Sequence, residues 1–248
     1  MTTGDQLHVV AVIQARTGST RFPRKVLHQL ADRSVLEWCI RAAKSAYGVD
    51  EVLVATTVAA ADDEVAEIAE RSGVGVYRGS EDDVLERFIG AAEATKADAV
   101  VRLTSDCPLL DPVLISQVAQ LWRSNSSLEY VSTTLSRSFP RGLDVELAST
   151  AALRSIGETA KGYHRTHVTS ALYAEGSSYR RLGLSTEPDL SHFRVTLDTV
   201  EDAQAIAELV RFLGNVPPAW EQVANVLLTQ PHISQLNALV RQKQLDEG

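Results

Sequence analysis

Sulfur chemistry is nearly absent from this chain: its 248 residues include two cysteines, Cys39 and Cys107, and one methionine. The cysteines form no CxxC pair and belong to no His/Cys cluster with zinc-ligand spacing, so they read as small buried apolar residues. Long apolar runs are missing as well. The one near the N-terminus, inside MTTGDQLHVVAVIQAR, is too short to span a bilayer and lacks the basic stretch that opens a secretory signal, which predicts a cytoplasmic protein with no membrane partner. Positive charge is in deficit, 24 Lys and Arg against 32 Asp and Glu, a formal net charge of -8. Such a chain has no general electrostatic attraction to nucleic acid or to an anionic membrane. Neither a GxxxxGK[ST] loop nor a GxGxxG fingerprint occurs, which excludes those two phosphate-binding devices. With no repeat, low-complexity tract or linker, a single domain over 1–248 is expected.

What is present is a regular alternation. LHVVAVI (Leu7 to Ile13) and EVLVATT (Glu51 to Thr57) are rich in β-branched residues and read as strands buried on both faces, with helical periodicity from Ser34 to Lys44 between them. DDEVAEIAERSG, Asp62 to Gly73, opens on acids and closes on glycine, the start and stop signals of a helix. The pattern repeats with VYRGS, a helix from Asp82 to Thr95, the strand AVVRLT (Ala99 to Thr104) and a helix from Pro112 to Asn125. Alternating strands and helices imply a doubly wound sheet. The alternation then fades into YVSTTLSRSFPRGLDVEL, where turn residues separate short strand-like pieces, and an antiparallel excursion is expected around 128–185. A helix from Ser149 to Ala160, the strand FRVTLD (Phe193 to Asp198) and helices from Glu201 complete an α/β fold with one mixed, mainly parallel sheet.

VIQARTGSTRFPRKVL, Val12 to Leu27, gathers Arg16, Arg21, Arg24 and Lys25 around Gly18, Ser19 and Thr20. It follows a buried strand and so lies at the carboxyl edge of the sheet, where open α/β folds bind ligands. Backbone amides from Gly18 to Thr20 can wrap phosphate oxygens while Arg16, Arg21 and Lys25 neutralise them, which points to a polyanion. Composition by itself favours a solvated basic loop.

The spacing goes further. QARTGSTRFPRKVL resembles the QARxGSxRxPxKxL signature of the cytidylyltransferases related to spore-coat polysaccharide biosynthesis proteins, and more distantly the enzymes that activate sialic acid and KDO as CMP conjugates. YRGSEDDVLERF, VVRLTSDCPLLDP, FPRGLDVEL, HRTHVTSALY and RVTLDTVEDAQAI resemble that family's blocks in that family's order. The resemblance implies a GT-A-like (Rossmann-like) nucleotidyltransferase fold, use of CTP and Mg²⁺, and release of pyrophosphate. It further implies that Ala15, Arg16, Thr17, Gly18, Ser19, Arg21 and Lys25 hold the nucleotide, with Arg16 and Lys25 acting on the transferring phosphate. Arg78, Ser80, Asp83 and Arg87 then match the segment that holds cytosine and ribose, although Ser80 also suits a helix cap with Glu81 to Asp83 as an acidic first turn. Relatives that activate sugar acids often form dimers, so a homodimer is a further expectation; the stretch ISQLNALVRQKQL is compatible with packing on a partner.

Nucleotidyl transfer needs in-line attack on the α-phosphorus while charge on the phosphates is neutralised by Mg²⁺ and cationic side chains. Mg²⁺ is anchored by one or two carboxylates plus substrate oxygens, and Asp106 after AVVRLT and Asp198 after FRVTL are sparse acids of that kind. Each also suits an N-cap, and Glu201 and Asp202 strengthen that alternative for Asp198. The resemblance assigns both to metal, with Asp106 catalytic.

Asp144 and Glu146 lie two apart, so in an extended segment both face one way, toward an acceptor hydroxyl, a second metal or simply water. Relatives carry an acidic or amide residue at Arg141, glycine at Arg24 and Ser105, and glutamate at Thr166. These departures, with Arg137, His164, Arg165 and His167 nearby, fit either a site that wants an anion, since a guanidinium matches carboxylate or phosphonate bidentately, or arginines that simply decorate the exterior. The expected acceptor is a sugar acid or small phosphonate, bound by Arg141, Asp144, Glu146, Arg165 and His167. A GT-A-type glycosyltransferase is the alternative, but SDC offers one acid where its DxD motif needs two. A non-catalytic nucleotide binder would have lost the loop cations or Asp106, and none is lost.

Overall fold

β1 (Val9–Gln14) runs through the middle of the molecule, flanked by parallel neighbours on both sides. The computed structural model describes residues 7–242. After β1 come a short hairpin, β2 (Gln29–Leu30) and β3 (Arg33–Ser34), then α1 (Val35–Lys44), β4 (Glu51–Thr57), α2 (Asp63–Arg71), β5 (Gly75–Gly79), α3 (Val84–Thr95), β6 (Ala99–Thr104) and α4 (Pro112–Ser124). The second half contains β7 (Tyr130–Ser132), β8 (Glu146–Ser149), α5 (Thr150–Thr159), α6 (Tyr163–Thr166), β9 (Arg181–Gly183), α7 (Val200–Leu213), α8 (Trp220–Thr229) and α9 (Pro231–Gln235). Seven strands form one sheet in the order β5-β4-β1-β6-β8-β7-β9. β8 lies antiparallel to both β6 and β7, the excursion expected from the turn-rich middle section.

The unbroken apolar character of β1 follows from this position. Val9, Ala11 and Ile13 join the core packed by α1, α4 and α7, while Val10 and Val12 join the opposite core packed by α3 and α5. Alternating residues thus face two dry layers, each fully buried side chain contributing about 1.5–3 kcal/mol. Ser34 and Glu37 form a capping box on α1, and Thr199 and Asp202 form one on α7. Among the described residues no helix is long and apolar enough to cross a membrane.

Three expectations need correction. FRVTLD is not a strand of the sheet: it forms a single bridge, Arg194 to Arg141, because it reaches across the sheet edge to another loop instead of lying in a ladder. α3 begins at Val84 and its cap is Asp83, which accepts from the Glu86 amide, whereas Ser80 accepts from the Asp83 amide one turn earlier. The helix predicted from Asp62 is preceded by a 3₁₀ turn, Ala60–Asp62, which turns Asp62 inward. Part of ISQLNALVRQKQL, residues 243–245, lies outside the described residues.

Candidate active site

The basic loop leaves β1 at Gln14 and is held by one buried carboxylate. Asp62 Oδ1 accepts from the amide and the hydroxyl of Thr17, each at 2.7 Å, and Asp62 Oδ2 accepts from the hydroxyl of Thr57. Burial pushes the Asp62 carboxyl up, but these donors overcome it and hold the group below its usual range. The chain then doubles back, with the Arg24 amide bonding the Thr17 carbonyl at 3.1 Å. Arg24 has φ +57°, in the left-handed region that favours glycine. The 3₁₀ turn Lys25–Leu27 follows, and Lys25 points inward.

Lys25 Nζ lies 2.6 Å from Asp106 Oδ2 and 2.6 Å from Asp198 Oδ1. Arg21 meets Asp198 Oδ2 at 3.0 Å, and Arg194 bonds Asp198 at 2.6 Å and Asp202 at 2.9 Å. The extended segment from Phe193 delivers Asp198. It bonds Arg141 through Phe193 O and Val195 N, at 2.9 and 2.7 Å, and its Leu197 amide bonds Asp106 O at 2.7 Å. Two sheet-edge loops are thereby stitched together, with their carboxylates on one ammonium. Burial alone would discharge Lys25, yet Asp106 and Asp198 raise its pKa; burial alone would protonate Asp106, yet Lys25 holds it at about 2. Neither aspartate caps a helix: Asp111 caps α4 and Thr199 caps α7, which leaves the carboxylates of Asp106 and Asp198 facing the cleft.

From this cluster a cleft of about 1440 Å³ opens between the basic loop and the β7–β8 region. The cytidylyltransferase family model matches residues 10–245. The chain belongs to the cytidylyltransferase family. The spore coat polysaccharide biosynthesis protein SpsF of Bacillus subtilis is 31% identical over 218 residues, covering 84% of this chain and 89% of that one. The 3-deoxy-manno-octulosonate cytidylyltransferase of Acidobacterium capsulatum is 38% identical over 108 residues, 43% of this chain and 42% of that enzyme. A solved structure of a cytidylyltransferase from Leptospira borgpetersenii matches with a TM-score of 0.89 at 29% identity, covering 96% of this chain and 99% of the other. The enzyme is a CTP-dependent nucleotidyltransferase, which decides between nucleotidyl and glycosyl transfer in favour of the first.

In this cytidylyltransferase Arg16, Gly18, Ser19, Arg21, Lys25, Asp106, Asp198, Arg141, Asp144, Glu146 and His167 all line the cleft. Others predicted for the nucleotide stand behind it. Ala15 is buried and bonds β4 through its amide, and Thr17 is held against Asp62. Arg78 bonds the carbonyls of Thr57 and Ala59 and pairs with Asp63. Arg87 is buried and donates to the Ser80 carbonyl at 2.5 Å, propping up the loop that carries Glu81 and Asp82 into the cleft. Asp83 caps α3 and pairs with Arg165, whose guanidinium also donates to the Gly157 carbonyl at 2.8 Å. Arg78, Ser80, Asp83, Arg87 and Arg165 therefore shape the walls rather than line the cleft.

Elsewhere in the cleft Arg137 grips Asp144 bidentately at 2.7 and 2.9 Å. Glu146 is 5% exposed and accepts from Arg102, from Tyr130 at 2.5 Å and from Thr169 at 2.9 Å, so its oxygens are already engaged beneath the floor. Arg141 differs: among the described residues nothing forms a hydrogen bond or ion pair with its guanidinium. Sequence reasoning missed Arg102, Gln14 and Tyr173, which line the cleft. Arg102 and Thr104 alternate as polar positions in an otherwise apolar β6, and Gln14 pairs in register with Thr104. That period-two polarity was the available signal.

Proposed function

We propose that this enzyme transfers CMP from CTP to a small anionic acceptor, a sugar acid or small phosphonate, and releases pyrophosphate. The observation that carries the acceptor class is Arg141, a guanidinium in the cleft whose neighbour Arg137 is neutralised by Asp144 while its own charge is not. Burial first, then the nearby Arg137 and Arg194, lower its pKa against the opposing pull of Asp144, but an arginine stays charged at neutral pH. An acidic acceptor supplies the missing charge.

In this reading the amides around Gly18 and Ser19, with Arg16 and Arg21, hold the triphosphate. Lys25 stabilises charge on the phosphate under attack. An acceptor oxygen forms the new bond to the α-phosphorus as the bond to pyrophosphate breaks in line with it. Asp106 and Asp198 suit a divalent cation such as Mg²⁺: two hard carboxylates converge on one cation position. Among the described residues no group of three or more His, Cys, Asp or Glu side chains is arranged for a metal, so an ion held by Asp106 and Asp198 would need phosphate oxygens or water as its further ligands. When bound, the ion neutralises charge on the phosphates.

Pyrophosphate release from CTP, measured across a panel of sugar acids and alkylphosphonates, tests the proposal. Arg141→Ala should raise the acceptor KM at least roughly tenfold, the loss of a charged hydrogen bond of about 1.5–3 kcal/mol. The KM for CTP should stay within about twofold, because Arg141 lies at the acceptor end. An unchanged acceptor KM rejects an acidic acceptor.

A further inference from the structure

We propose that Lys25 is a resident cation occupying the position of the divalent ion, so that ion and triphosphate can enter this site only together. The inference rests on the reading that Asp106 and Asp198 hold the ion, and it concerns what happens before they do. The Lys25 ammonium lies 2.6 Å from an oxygen of each carboxylate, the place where a cation shared by the two must sit. Around it the charges are already balanced: Asp106, Asp198 and Asp202 face Lys25, Arg21 and Arg194, every one of them in an ion pair.

A doubly charged ion arriving alone would meet a neutral cluster and would have to expel an ammonium with nowhere to go. The triphosphate removes that obstacle. Its oxygens take up Lys25, the loop cations Arg16 and Arg21 receive an anion, and the freed carboxylates and phosphate oxygens together make the shell. Because coupling is reciprocal, the ion tightens nucleotide by the factor by which nucleotide tightens the ion. A coordination site open to free cations would bind them at any time; Lys25 prevents that.

The test is direct binding of Mn²⁺ to nucleotide-free protein, followed by electron paramagnetic resonance. Lys25→Met should bind the free ion at least tenfold more tightly than the wild type, while Lys25→Arg, which keeps the charge, should not. Adding Asp106→Asn to Lys25→Met should abolish the gain. Equal Mn²⁺ affinity in the wild type and Lys25→Met overturns the inference. If the gain survives Asp106→Asn, the ion sits elsewhere and the assignment to Asp106 and Asp198 falls with it. If there is no gain, yet Asp106→Asn abolishes ion-dependent pyrophosphate release, the assignment stands and the lysine's role alone is wrong. Removing Lys25 leaves two carboxylates facing each other and weakens the fold, so thermal midpoints give a second reading. Mn²⁺ without nucleotide should raise the Tm of Lys25→Met and of Lys25→Gln far more than that of the wild type, and equal rises overturn the inference.

Discussion

Thr17 and Asp62 show how a residue remote from the chemistry sets it up. Forty-five positions separate them, yet the Asp62 carboxylate satisfies both the amide and the hydroxyl of Thr17 and so preforms the turn from which Arg16, Gly18 and Ser19 project. Asp62→Ala should cost about 1–3 kcal/mol of stability by orphaning buried donors, measurable by urea unfolding. It should also raise the KM for CTP, because the loop must then be ordered on binding, while Asp62→Asn, which keeps one acceptor, should fall between. The loop cations were legible from their spacing. Asp62 was legible only as a helix start, since nothing local in DDEVAEIAERSG says that its first carboxylate faces a loop from another part of the chain.

At the scale of elements, the segment from Phe193 to Asp198 matters more than its brevity suggests. Its bridge to Arg141 requires close approach at Gly142, where φ is +102° and an added Cβ would lie 2.6 Å from the Thr196 nitrogen and the Val195 carbonyl carbon. Gly142→Ala should cost about 1–3 kcal/mol in backbone strain and displace Asp198, so kcat should fall while the protein still folds, as steady-state kinetics and circular dichroism can check. β8 offers a separate test. Burial pushes the Glu146 carboxyl up, but Arg102 and its hydroxyl partners more than offset this and leave its pKa below the ordinary value. A depressed folded pKa means the stabilisation is present above the unfolded value of about 4.3 and is lost as pH falls toward the lower folded one. Glu146→Gln should therefore flatten the acid limb of the stability curve below about pH 4.3 and, by leaving Arg102 without its charge partner, cost about 3–5 kcal/mol at neutral pH. Denaturant midpoints measured from pH 7 to 3 would show an unchanged acid limb if the pair contributed nothing.

Across the whole molecule, both cores share β1 and its neighbours, so neither face can lose its helices without exposing the sheet. One cooperative unit over the chain is the expected outcome, with calorimetric and van't Hoff enthalpies equal; two resolved transitions would divide it. Sequence periodicity was sufficient for the main-sheet strands and the helices of the first half, though not for the β2–β3 hairpin, because each such strand faces two apolar layers and each helix one, and those periods are local. The basic loop stood out in the sequence for a related reason: its cations and small residues lie within one short stretch. Tertiary structure alone decided which charges meet. Lys25 reaches partners 81 and 173 residues away, Asp83 pairs with Arg165, and Glu146 closes on Arg102. Ion pairing acts over a few ångströms of space, and only the path of the folded chain determines which residues come that close.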